Sequence, residues 1–325
     1  MTKADRGFIG QEAAWQEWMG AIASDRMHHA WLLSGAKGLG KHQFARSAAA
    51  ELVREPGGKL AAVDGHPDIH ILDHLPANDD EVKKKADGKP FQLKRNITID
   101  QVRKMQQRLT TRPTLGSRRA IIIDPADDLE KNAVNALLKS LEEPPVGTFF
   151  LLVTHQPGRL LPTIRSRCRV LRFAALAPEE LDAVIRRDVP QADGPARAAA
   201  IAAAHGSPGI ALAFAEHDLA GVHGLMQRII DQGDASFALR GQLAGEIGAR
   251  PARDRQFAIL ELARAILANN LPHSPRAQQA RIIEAHSALT RLSTQAPTYN
   301  FDAGLLVMEI GGLLASTAMP RGTGR

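Results

Sequence analysis

Gly35-Ala36-Lys37-Gly38-Leu39-Gly40-Lys41-His42 carries the spacing of a phosphate-binding loop, G-x-x-x-x-G-K-[ST], at every position but the last. In such a loop backbone N–H groups and the start of the following helix cradle phosphate oxygens. The lysine reaches the outer phosphates, and the hydroxyl ligates Mg²⁺. His42 keeps the cradle and removes the magnesium ligand. Working outward, Trp31-Leu32-Leu33 reads as a short buried strand entering the glycines, and Phe44 to Leu52 as the helix behind them. Strand, loop and helix in that order distinguish a phosphate-loop fold from a chance glycine turn.

Up to about Phe173, apolar β-branched runs alternate with helical patterns, which predicts a parallel sheet covered by helices. Ala120-Ile121-Ile122-Ile123-Asp124 is a buried strand with a carboxylate at its tip, where phosphate-loop enzymes place the Asp that helps hold Mg²⁺. The next residue is Pro125, where many such ATPases use a glutamate to polarise the attacking water. Asp127 and Asp128 either approach the site or cap a helix. An amphipathic helix from Asn132 stops at Pro144-Pro145, and a second buried strand, Phe149 to Val153, ends in Thr154. The Thr154 hydroxyl either senses a γ-phosphate or merely ends a strand. Thr98 and Gln101 form a capping box for a helix with Ile99, Val102, Met105 and Leu109 on one face and Arg103, Lys104 and Arg108 facing away. Arg165, Arg167, Arg169 and Arg172, with Arg159 just before, are either a basic surface or the source of an arginine that reaches a neighbouring subunit's phosphate.

From Ala174 onward no strand is expected. Short helices over 178–218 and longer amphipathic helices over 219–325 follow, one of them with Ile259, Leu262, Ile266 and Leu267 on a face, and the tail after Met319 reads as disordered. Between Leu60 and Lys94 the polar stretch reads as a surface loop. His66, His70 and His74 recur there at four-residue spacing, which is either a metal cluster or a solvated strand edge; Pro67 and the lack of cysteine favour the edge.

At 325 residues and 44% apolar, the chain is long enough for two or three globular domains. No apolar run suits a membrane span and no signal pattern opens the chain, so a cytoplasmic protein without a membrane partner is expected. Cys168 is the single cysteine, which excludes an internal disulfide and a cysteine-rich zinc site. Residues 1–173 hold 27 Lys+Arg against 20 Asp+Glu, whereas the remainder holds 14 against 15. The basic excess therefore sits in the first part, where it suits either a polyanionic neighbour or a solvated surface. Aromatics make up 4%, too few for a platform that stacks single-stranded bases.

Taken together these residues resemble the clamp-loader branch of the AAA+ ATPases. The resemblance is carried by Ile9-Gly10-Gln11-Glu12, His29 to Gly35, His66-Pro67-Asp68, Ile97 to Arg103, Asn135 to Pro145, Arg159 to Cys168 and Gly206-Ser207-Pro208-Gly209. It covers about residues 8 to 210, and its Leu-Glu-Glu-Pro-Pro and Ser-Arg-Cys runs are its most specific parts. It implies an α/β AAA+ phosphate-loop domain with a parallel sheet over 1–173, a small helical lid domain over 174–218 and a C-terminal all-α collar over 219–325. It also implies a pentameric ring in which tau/gamma motor subunits hydrolyse ATP, beside a delta subunit, to open a sliding clamp and load it on primed DNA.

In that ring the resemblance makes this chain a rigid stator that donates Arg167, of the Ser-Arg-Cys triplet, to an adjacent motor site. ATP or ADP would be held without hydrolysis around Gly35, Gly38, Gly40, Lys41, His42, Asp124 and Thr154. His42, Pro125, and Ile210 where active relatives place a second phosphate-sensing arginine, together predict little turnover of its own. Many relatives of the stator type carry a four-cysteine zinc module, but Val53 to Val63 has no cysteine, so no zinc and no other metal is expected. The alternatives are an active motor subunit of the same family, with His42 tolerated and Asp127 or another group in place of the glutamate, a phosphate-loop nucleotide kinase, and a plain DNA-binding protein.

Overall fold

The computed structural model describes residues 8–24, 27–55, 57–58, 62–89, 91–296 and 301–318. The tail after Met319, part of the Val53–Val63 window and the first seven residues lie outside them. The chain divides into two compact units, Met1–Ala175 and Leu176–Arg325.

The first unit is built on a parallel sheet of β1 (Ala30–Ser34), β2 (Ile69–Leu72), β3 (Arg119–Ile123), β4 (Thr148–Thr154) and β5 (Arg169–Arg172), in the order β2-β3-β4-β1-β5. Successive side chains of a strand point to opposite faces, and both faces here are apolar, as a helix-covered parallel sheet requires. Trp31, Leu33, Ile122, Leu151 and Val153 join a core with α1 (Glu12–Ile22) and α2 (Lys41–Leu52), where Trp18 meets Trp31 edge-on at 5.3 Å. Leu32, Ile121, Ile123, Phe150 and Leu152 face the other way, towards α4 (Ile99–Leu109), α5 (Lys131–Glu142) and the short α6 (Pro162–Arg165). The tryptophans are thus spent on the core. Gln11 closes the unit: its side chain donates to Ala174 O (2.7 Å) and accepts from Ala174 N (3.2 Å).

The expected capping box is present at the start of α4, where Thr98 N–H donates to Gln101 Oε1 at 3.0 Å. Val102, Met105 and Leu109 are buried, while Arg103, Lys104 and Arg108 are exposed. The region 60–94 is more regular than its polar composition predicts. Ile69 to Leu72 is an edge strand paired to β3, and Asp79–Ala86 forms α3. The strand is only four residues long and the helix eight, too short to show a clear period. The missed signal is local: Asn78 caps Glu81 N at 3.0 Å, with Asp79, Asp80 and Glu81 in the first turn and three lysines in the last, which suits the helix dipole. The three histidines go to separate partners. His66 accepts from Asp68 N, His70 meets Arg108 and His74 meets Asp128, and no group of His, Cys, Asp or Glu among the described residues is arranged to hold a metal.

Leu176–Arg325 is helical throughout its described residues: α7 (Pro178–Asp188), α8 (Gly194–Ala204), α9 (Pro208–Glu216), α10 (Ala220–Gln232), α11 (Ala238–Ile247), α12 (Arg253–Asn270), α13 (Arg276–Gln295) and α14 (Ala303–Ser316). Pro178 and Pro208 open their helices, and Ser207 caps Ile210 N. Ile259, Leu262, Ile266 and Leu267 are buried, but so are Ala258, Leu260 and Ala263, so α12 packs on more than one face. No described helix is long and apolar enough to cross a membrane.

Asp68, 1% exposed, ties the edge of the sheet together: its carboxylate accepts from Thr114 N (2.6 Å) and Leu115 N (2.7 Å) and lies 3.9 Å from the buried Arg119 Nε. Removing one partner of a buried charge pair costs about 3–5 kcal/mol. Asp68→Ala is therefore expected to lower stability by that order and shift the denaturant midpoint clearly downward; an unchanged midpoint would refute the clamp.

Candidate nucleotide site and arginine cluster

The ends of three central strands converge where the order of the sheet reverses, the place at which open α/β sheets bind ligands. Strand β1 delivers the glycine loop, β3 delivers Asp124, and β4 delivers Thr154. A Cβ on Gly35 would meet Phe173 O at 2.8 Å, so that glycine is required by packing at the strand exit. Gly38 and Gly40 have φ of 84° and 79°, left-handed values that suit glycine and turn the chain into α2.

Lys41 is buried, and its Nζ donates to Gly35 O (2.7 Å) and Ala36 O (2.5 Å), the carbonyls of its own loop. Burial pulls its pKa down to about 8, against the opposing pull of Asp124 and Asp127. His42 projects from the first turn of α2, and its Nδ1 lies 2.6 Å from Asp124 Oδ2. The two positions that would hold Mg²⁺ in a working loop are thereby bonded to each other. A magnesium site needs oxygen donors in an octahedral shell. An imidazole against the aspartate supplies nitrogen and already occupies one carboxylate oxygen, so these residues do not fit the metal.

Asp127 does not cap a helix. Its carboxylate accepts the Thr154 hydroxyl (2.6 Å) and the backbone N–H groups of His155 (2.6 Å) and Gln156 (3.4 Å), and so fixes the turn after β4. Thr154 is fully buried with its hydroxyl directed at Asp127, and Asp127 has both oxygens engaged. Sequence reasoning passed over His155. Its imidazole pKa is lowered, first by burial and then by the charge of Lys41, and its Nδ1 is buried without a hydrogen-bond partner among the described residues. The only hint in the sequence was its place immediately after the strand tip.

The five arginines separate in space. Arg169 pairs with Glu17 (Nη2–Oε1 2.8 Å) and lies 4.9 Å from the Trp31 ring centre, so it anchors α1. Arg159, Arg165 and Arg172 are exposed, whereas Arg167 is half-buried. Its neighbour Cys168 packs against the α4–α5 core.

The family model described as "DNA polymerase III, delta subunit" matches residues 10–177. The chain belongs to that family. It is 37% identical over 169 residues to DNA polymerase III subunit delta' of Pseudomonas aeruginosa, which covers 49% of this chain and 46% of that protein. It is 33% identical over 205 residues to the same subunit of Escherichia coli, covering 59% and 56%. To subunit gamma/tau of Mycobacterium tuberculosis it is 30% identical over 223 residues, covering 66% of this chain and 36% of that one. The chain spans about half the length of the curated delta' relatives it matches. Among solved structures, a DNA polymerase III gamma subunit-related protein of Thermotoga maritima superposes with a TM-score of 0.50 at 17% identity, covering 93% of this chain and 98% of that one, and so shares its fold. The family match ends near the boundary between the two units.

Burial pushes the Cys168 thiol up to about 12. At pH 8 only about one part in 10⁴ is then thiolate, the reactive form. Alkylation of Cys168 in the native protein is expected to be at least ~10²-fold slower than in the unfolded chain; equal rates would place the sulfur in solvent.

Proposed function

We propose that this chain is a clamp-loader subunit of the DNA polymerase III holoenzyme, a stator of delta-prime type without productive ATP turnover of its own. In this reading it sits beside tau/gamma motor subunits and a delta subunit, and supports ATP-driven loading of a sliding clamp on primed DNA. The observation that carries the lack of turnover is the 2.6 Å contact of His42 with Asp124. That contact takes up the magnesium positions, and Pro125 offers no general base beside them. ATP or ADP taken into the loop is held without hydrolysis, because Lys41 has to exchange two carbonyl acceptors for phosphate oxygens and gains no metal there.

The motor alternative needs Asp127 or another group as the base, and Asp127 itself accepts three hydrogen bonds at the β4 turn. In the stator reading the sheet unit holds Arg167 for the neighbouring site, the helices of 174–218 are the lid remnant, and those of 219–325 form the collar. The protein acts in the cytoplasm, where the replication machinery and its nucleotides are.

Steady-state hydrolysis by the purified chain is expected to equal background, and to be stimulated only when its motor subunits, delta, clamp and primed DNA are added. Robust turnover by the chain alone would identify a motor instead. His42→Ser restores the hydroxyl and frees Asp124, so nucleotide binding in that variant is expected to become Mg²⁺-dependent, measured by titration with and without EDTA, while hydrolysis stays absent because Pro125 remains. For the arginine, Arg167→Ala is expected to leave assembly intact and to slow hydrolysis at the adjoining motor site by ~10³-fold or more. The loss is read as a missing fast phase in single-turnover hydrolysis by the complex, and an unaltered fast phase would remove Arg167 from that role.

A further inference from the structure

Arg167 is held from two sides within its own subunit. Its Nη1 donates to Thr163 O, on the same turn, at 2.9 Å, and its Nη2 lies 2.5 Å from Glu142 Oε1. Glu142 is the last residue of α5, just before Glu143-Pro144-Pro145 ends the helix, so the position of its carboxylate is set by a stop that proline enforces. That end of the helix is itself fastened. Leu141 O lies 2.9 Å from His29 Nε2 at the entry to β1, and the Leu141 side chain is in the core. On the arginine side, Ile164 is fully buried and fixes the turn of α6, and Arg167 N–H donates to Ile164 O at 3.1 Å.

A guanidinium has five N–H donors in a rigid plane. Two of these face Thr163 and Glu142, which leaves three for an acceptor outside the subunit. The carboxyl end of α5 adds the negative pole of the helix dipole beneath the cation. Arg159, Arg165 and Arg172, by contrast, are exposed, and Arg169 is committed to Glu17 and Trp31. We propose that Glu142 is a positioning residue that sets the guanidinium plane of Arg167 before the subunits meet. The proposal rests on the reading of Arg167 as the arginine given to a neighbour's phosphate. An arginine already oriented adds its charge to the transition state without losing side-chain entropy at that moment, and this is the gain that preorganised donors provide.

The test is single-turnover ATP hydrolysis by the complex reconstituted with its motor subunits, delta, clamp and primed DNA. Glu142→Gln, of equal shape but without charge, is expected to slow the phase that depends on Arg167 by about tenfold, to leave ATP affinity unchanged and to melt with the wild type. Glu142→Asp, which keeps the charge but draws it back by one carbon, is expected to fall between the two. In the double variant Glu142→Gln/Arg167→Ala the rate is expected to match Arg167→Ala alone, because a residue that acts only through Arg167 has nothing left to orient. A wild-type rate in Glu142→Gln while Arg167→Ala loses the phase would overturn the positioning role and leave the arginine's own role standing. A double variant slower than Arg167→Ala would overturn it as well, since Glu142 would then act by another route. No loss in Arg167→Ala would overturn both readings together.

Discussion

A sheet covered on both faces has only its strand ends to offer to chemistry. In this chain β1 lies between β4 and β5, with Trp31 and Leu33 buried against one helical layer and Leu32 against the other. Arg167 and Glu142 stand at the amino edge, just before β5 and β4 begin, while the glycine loop, Asp124 and the Thr154–Asp127 pair hang from the carboxyl edge. The helices fix where these groups stand by packing, and the strands fix how far they project.

At that edge polar groups have been turned inward. The lysine of the loop bonds to carbonyls of the loop, the histidine to the aspartate, and Asp127 to the turn behind it. Each contact satisfies a group that would otherwise be costly to bury without a partner. His155 Nδ1 apart, these groups are satisfied by the protein itself, which is the opposite of the open valences that a metal-dependent hydrolase keeps.

Much of this was legible in the residues. The apolar runs Trp31-Leu32-Leu33, Ala120 to Ile123 and Phe149 to Val153 are too apolar for an exposed strand, and each became a central strand within a residue or two of its expected bounds. The Thr98–Gln101 signal was equally direct. What the sequence hid depended on contacts between distant residues. Ile69 to Leu72 is a strand because β3 lies beside it, and four residues show no period of their own. Asp127 was expected either to approach the site or to cap a helix, and its carboxylate instead holds a turn that starts 27 residues away. Nothing in the spacing of Glu142 and Arg167 shows that they meet, since β4 and α6 intervene.

The register of the central strand also has a cost in time. Ala30 is opposite Phe150, so β1 leaves the ribosome some 120 residues before the strand that flanks it on that side, and its other neighbour, β5, comes later still. At about 5–20 residues per second this is roughly 6–24 s during which Trp31, Leu32 and Leu33 have no sheet to enter. This central strand thus spends the longest in waiting, and the early helices α1 and α2, which pack on one face of it, are the parts of the nascent chain able to shelter it until the sheet closes.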